Sequence, residues 1–157
     1  RISNMTLVGS NVTKAGNLTG TYHQCDGSSV SVGTDISIEG TSSISGVSIT
    51  NGDAVLSSGA SYYLEISGTI YNHNSSGTVR WYNQTTSAYV GQQSIWRNKP
   101  ASGTRVNRMV ARCLILASDF GSNSTMTLSP RTTAKSGSAL YESAGYTEPH
   151  VRIIRIA

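Results

Sequence analysis

Between Ser61 and Tyr71 the chain alternates without a break: Tyr62, Leu64, Ile66, Gly68 and Ile70 fall on one side, Tyr63, Glu65, Ser67, Thr69 and Tyr71 on the other. A period of two over eleven residues is the pattern of a strand with one face turned to a core, and no helix can place those residues on one side. Similar signals recur about every ten residues from Ser28 onward. Val30, Val32, Ile36 and Ile38 alternate with small polar residues, and Ile44, Val47 and Ile49 follow Gly40. The Asn51-Gly52-Asp53 turn leads into Ala54-Val55-Leu56, the pattern of a tight hairpin. Val79 and Trp81 alternate with Arg80 and Tyr82. Ala88-Tyr89-Val90 and Ser94-Ile95-Trp96 read as two further short strands, and Met126 and Leu128 as another, stopped by Pro130.

Residues 106–116 fit two periods. Val106, Met109, Val110, Cys113, Leu114 and Ala117 have helical spacing. A strand would instead turn Met109, Ala111, Cys113 and Ile115 inward, with Arg108 and Arg112 on the other face. The composition around them favours the strand. Ser, Thr, Gly and Asn make up 69 of the 157 residues, while the β-favouring set of Val, Ile, Thr, Tyr, Trp and Phe outnumbers Ala, Leu, Glu and Lys by 51 to 26. This balance excludes a helical bundle and argues against a Rossmann-type enzyme. The expected fold class is all-β: eight to ten strands in a β-sandwich or jelly roll. The closing strand, residues 151–156, carries adjacent Ile153 and Ile154, one for each face. A strand apolar on both faces is covered on both, which in a small sandwich implies a second subunit.

Residues 1–27 are weakly patterned and carry three Asn-x-Thr triplets, at Asn4, Asn11 and Asn17. They read as an N-terminal arm or stalk end, with residues 28–157 as the knob domain. Charge is uneven: residues 1–79 carry a net −3 and residues 80–157 a net +7. The basic residues are dispersed through strand-like segments, so no nucleic-acid partner is expected. The longest apolar run, Cys113-Leu-Ile-Leu-Ala117, is far short of the roughly 18 residues of a membrane helix, so no membrane insertion is expected. Cys25 and Cys113 could form one disulfide; Cys113, inside the apolar run, reads as a buried free thiol. No zinc spacing, nucleophile elbow, P-loop or calcium-loop string occurs, and the eight acids nominate no catalytic pair. The expectation is therefore a non-enzymatic protein without metal or cofactor.

The order of motifs also carries a resemblance. The run Ala54-Val-Leu-Ser-Ser-Gly-Ala-Ser-Tyr-Tyr-Leu-Glu-Ile-Ser-Gly-Thr-Ile-Tyr71 is followed by Val79-Arg-Trp-Tyr-Asn83 and closed by Gly145-Tyr-Thr-Glu-Pro-His-Val-Arg-Ile-Ile-Arg-Ile156. Together they resemble the C1q/TNF-like jelly-roll modules of bacteriophage structural proteins such as head fibres and tail-fibre or spike knobs. The resemblance covers residues 28–157, with one departure: Phe120 stands alone where such cores carry several phenylalanines. It implies a ten-stranded jelly roll assembled as a homotrimer on a stalk that joins other virion proteins. The place would be the exposed virion surface, or outside the cell if the protein is not viral. The leading functional expectation is a fibre or spike head attaching to a host-surface receptor or glycan. The alternatives are a capsid decoration protein and a secreted C1q/TNF-like ligand. Candidate host or glycan contacts are Tyr82, Tyr89, Trp96, Arg97 and Asn98, because tyrosine and tryptophan combine a stacking face with a polar handle. Candidate trimer contacts are Arg108, Arg112, Ile154 and Ile156.

Overall fold

The computed structural model describes residues 19–26, 32–42, 44–71, 76–97, 106–136 and 149–156. They form ten strands: β1 (Thr19–Asp26), β2 (Ser37–Ile38), β3 (Val47–Thr50), β4 (Asp53–Ser57), β5 (Ser61–Tyr71), β6 (Ser76–Asn83), β7 (Ala88–Arg97), β8 (Val106–Ile115), β9 (Thr125–Ser136) and β10 (His150–Ile156). One 3-10 turn, Ala117–Phe120, follows β8, and no α-helix occurs among the described residues. All strand pairings are antiparallel, in the order β2-β1-β10-β5-β8-β7-β6-β9-β4-β3, and the sheet is nearly closed into a barrel.

The segment around β2 brings the two edges together. Ser37 and Ile38 pair with Asp26 and Cys25 of β1. The preceding residues lie along β9: Gly33 N–H donates to Thr132 O at 2.8 Å and Ile36 N–H to Pro130 O at 2.7 Å. There they continue the edge that β4 occupies at Thr125–Leu128. This explains how β9 runs through Pro130, which was expected to stop it. A residue's N–H and C=O point to the same side of a strand, so the missing N–H of Pro130 faces the short segment and costs no bond to β6.

The alternation expected for β5 and β8 decides which residues fill the interior. Tyr62, Leu64 and Ile66 of β5, Met109, Ala111, Cys113 and Ile115 of β8, and Val151 and Ile153 of β10 are all buried. From the other half come Ala54 and Leu56 of β4, Val79 and Trp81 of β6, and Met126 and Leu128 of β9. Trp81 Nε1 donates to Ala111 O at 3.1 Å, a buried bond between the two halves. The Tyr62 hydroxyl is shared between the carbonyls of Ser57 at 2.8 Å and Gly46 at 3.2 Å, so its polar tip is satisfied inside the core. Asn51 and Gly52 both have positive φ, 52° and 83°, as the two-residue hairpin turn between β3 and β4 requires.

Three expectations change. The sheet begins at Thr19, inside the segment expected to be an arm, because β1 pairs with β10 from Thr19↔Arg155 to Gln24↔His150; residues 1–18 lie outside the described residues. The two short strands expected around Tyr89 and Ile95 are one strand, β7, carried through an irregular register by Gly91 at φ 69°. Of the strand expected over residues 30–38, the described residues 32–38 form only β2 and a single bridge, Asp35↔Arg131, because this stretch changes partner from β9 to β1; residues 30 and 31 lie outside the described residues.

Candidate functional site

Two outer surfaces of the barrel carry side chains beyond what the core needs. The first lies across β1, β10, β5 and β8. The register aligns Gly20, Ile154, Tyr63 and Leu114 in one row across the four strands. The next row holds Tyr22, Arg152, Glu65 and Arg112. Leu114 is 54% exposed and Tyr22 56%, and Ile154 and Ile156 are half-buried. Glu65 Oε2 accepts from both Arg112 Nε and the Tyr63 hydroxyl, each at 2.8 Å. Burial would raise the Glu65 carboxyl, but these bonds and the charges of Arg112 and Arg152 outweigh it and hold it below its ordinary value. Of the four candidate trimer contacts, Arg112, Ile154 and Ile156 thus lie on this outer face. Arg108 pairs with Thr69 on the same sheet, and its side chain lies outside the described residues.

Leu114, and Leu116 just beyond β8, were not among the candidates. The signal was present, since the run from Cys113 to Ala117 is apolar on both faces, as residues 151–156 are. The same argument applied to both strands would have found them.

The second surface surrounds the hairpin of β6 and β7. Tyr82 and Tyr89 sit directly opposite each other in register, with ring centroids 5.1 Å apart in an edge-to-face arrangement. The Arg131 guanidinium lies over the Tyr82 ring, 3.7 Å from its centroid. It is held there by Asp35: Nε donates to Oδ1 at 2.6 Å and Nη2 to Oδ2 at 3.0 Å. Gln84 Nε2 donates to Ser129 Oγ at 3.2 Å and lies 3.4 Å from Asp35 Oδ2. Burial pushes the nearby Asp53 carboxyl up. A hydrogen bond from Gln84 opposes this, the charge of Asp35 adds to it, Arg131 counters, and the net shift is upward. Asp35, Gln84 and Arg131 were not legible as a group, because Asp35 and Arg131 are 96 positions apart.

The structure divides the five candidate host contacts. Tyr82 and Tyr89 meet at one end of β7. Trp96 and Arg97 belong to the other end, opposite Gly77 and Ser76, roughly 20 Å away at strand rise. The side chains of Trp96 and Arg97, and Asn98 entirely, lie outside the described residues. Tyr82 has one ring face covered by Arg131, so Tyr89, 39% exposed, is the ring that offers a surface.

The buried polar groups serve the fold. His23 Nδ1 lies 3.0 Å from Glu39 O and Nε2 2.9 Å from Thr21 Oγ1. A carbonyl only accepts, so Nδ1 carries the proton and pins the chain beyond β2 to β1. Cys25 and Cys113 are both buried free thiols. Burial, with a smaller contribution from the Glu39 charge, pushes Cys25 up to about 12. Burial alone raises Cys113. Both are protonated at neutral pH and poor nucleophiles. Among the described residues no group of three or more His, Cys, Asp or Glu could hold a metal ion.

The chain matches no protein-family model, and no curated protein matches it.

Proposed function

We propose that this chain forms the trimeric jelly-roll head of a virion fibre or spike, exposed on the particle and attaching it to the host surface. The observation that carries the assembly is the outer face of β1, β10, β5 and β8. Apolar rows left partly open to solvent can mark interaction surfaces. Here Ile154, Tyr63 and Leu114 come from three adjacent strands, beside a charged row of Arg152, Glu65 and Arg112. Such a face can meet a different face of the next copy and close a ring. The nested pairing of β1 with β10, β4 with β9, β5 with β8 and β6 with β7 supports the jelly-roll reading. It is the order produced when one long hairpin rolls up on itself. The virion setting rests on the resemblance of residues 54–71, 79–83 and 145–156 to phage modules. In this reading the segment before β1 leads to the rest of the fibre.

Light scattering tests the assembly. The expected mass is about three times the 16.6 kDa of the chain, and Leu114→Arg combined with Ile154→Arg is expected to release folded monomers. A wild-type mass of one chain would refute the trimer, and a double variant that stays trimeric would move the interface elsewhere.

A further inference from the structure

We infer that the outer end of the β6–β7 hairpin is a binding site for a neutral saccharide, with Tyr89 as its stacking floor. The inference deepens the attachment reading and rests on it for purpose, while its chemistry stands on this hairpin alone. Three observations converge. First, Tyr89 is exposed yet fixed. Its ring is held edge-to-face by Tyr82, and Tyr82 is held by Arg131, whose guanidinium is locked in a two-point contact with Asp35. A ring already held in place loses little freedom when a ligand lands on it. Second, the turn beside it is polar. Gln84, Thr85, Thr86 and Ser87 join the two strands, and Thr85, Thr86 and Ser87 are exposed. The turn's shape is secured from within. Thr86 N–H donates to Asn83 Oδ1 at 3.2 Å, and Thr127 N–H to Thr85 Oγ1 at 3.0 Å. The bonds of Gln84 to Ser129 and Asp35 use its nitrogen, so its carbonyl oxygen keeps its accepting capacity. A fixed aromatic face bordered by hydroxyl and amide groups matches a pyranose, which presents C–H groups on one face and hydroxyls around its rim.

Third, the charges select against an acidic ligand. Arg131 is already neutralised by Asp35, and Arg80, on the same side of β6, donates Nε to Gly91 O at 3.0 Å. With Asp53 included, the described residues around it give two acids and two bases. A carboxylate or phosphate arriving here would compete with Asp35 for Arg131 and gain no net field.

Saturation-transfer NMR on the intact chain tests this, because it reads weak binding without relying on multivalency. The probes are neutral oligomers of glucose, galactose, mannose and N-acetylglucosamine, set against uronic-acid and sialic-acid oligosaccharides. The expected result is transfer to at least one neutral probe, weakened about tenfold or more in affinity by Tyr89→Ala, with the folded circular-dichroism spectrum retained. Absence of transfer to every neutral probe, transfer to acidic probes alone, or unchanged binding by Tyr89→Ala would each overturn the site. Light scattering on the same samples separates the two proposals. A trimer that binds no neutral saccharide removes the site and leaves the assembly, and a monomer that binds one does the reverse.

Discussion

Replacing Gly91 by alanine probes how β7 reaches both halves of the barrel. Gly91 has φ 69°, a conformation that costs an L side chain about 1–2 kcal/mol. Space is the larger problem. A Cβ there would lie 2.2 Å from Arg112 O, 2.3 Å from Cys113 Cβ and 2.7 Å from Cys113 Cα. These atoms belong to β8 itself and cannot swing aside as a side-chain tip would. Relief requires β7 to move away from β8 by about 1 Å, and Gln92↔Arg112 is the one backbone pair recorded between these strands among the described residues. Overpacking of this kind costs roughly 1–3 kcal/mol, for a total of about 2–5 kcal/mol with the backbone cost. That is a large share of the ~5–15 kcal/mol that stabilises a typical domain. Gly59 provides the reference, with φ 90° and nothing within 4 Å of its Cβ position. Gly59→Ala should therefore show the backbone cost alone. In urea, with a slope of about 2 kcal/mol per molar, Gly91→Ala should lower the midpoint by about 1–2.5 M and Gly59→Ala by about 0.5–1 M. Equal midpoints for the two variants would refute the argument that close approach, rather than φ, requires glycine at position 91.

Four further outcomes follow from the interior and from two carboxylates outside it. Trp81→Phe should cost about 2 kcal/mol or more in urea unfolding, because it leaves the Ala111 carbonyl without its buried donor. Glu65 has a native pKa lowered from 4.5, so its contribution is complete above that value and is lost as pH falls through the lower native one. Glu65→Gln should accordingly be less stable than wild type at pH 7, with the gap closing on acidification. Asp53 has the opposite sign. Its native pKa is raised from 3.8, so its favourable contribution is present at low pH and lost as pH rises through the native value, and Asp53→Asn should gain stability at pH 7 in thermal melts. Finally, a thiol reagent at pH 8 should leave Cys25 and Cys113 unmodified in the folded protein and modify both after unfolding, as mass spectrometry would read.

Legibility in the sequence followed the size of the inward side chains. β5 could be read because Tyr, Leu and Ile alternate with mostly polar residues, β8 because the surrounding composition favoured a strand where a helical spacing also fits, and β10 because adjacent Ile153 and Ile154 put one apolar residue on each face. β1 could not, because its inward positions are Thr21, His23 and Cys25, two of them polar and satisfied by hydrogen bonds rather than by apolar contact. Pro130 misled for a related reason. The rule that proline ends a strand presumes that both edges need donors, and at Pro130 the donorless side faces the segment leading to β2. Tyr82 and Tyr89 were singled out as aromatic residues with polar handles. Their joining into one cluster with Arg131 and Asp35 needed β9 and a segment from near the start of the chain to lie side by side.

The alternation of side chains is local, with a period of two residues, so the sequence by itself determined that β5 is a strand and which of its residues face inward; over residues 106–116, where two periods fit, composition favoured the strand. The sequence could not determine which strands are neighbours, because pairing is set by backbone hydrogen bonds between segments of similar composition. Only the tertiary structure decided that Ile154, Tyr63 and Leu114 share one row, that Asp35 reaches Arg131, and that Trp96 lies far from Tyr89. The surfaces on which the proposed assembly and saccharide binding depend are built from those non-local neighbours.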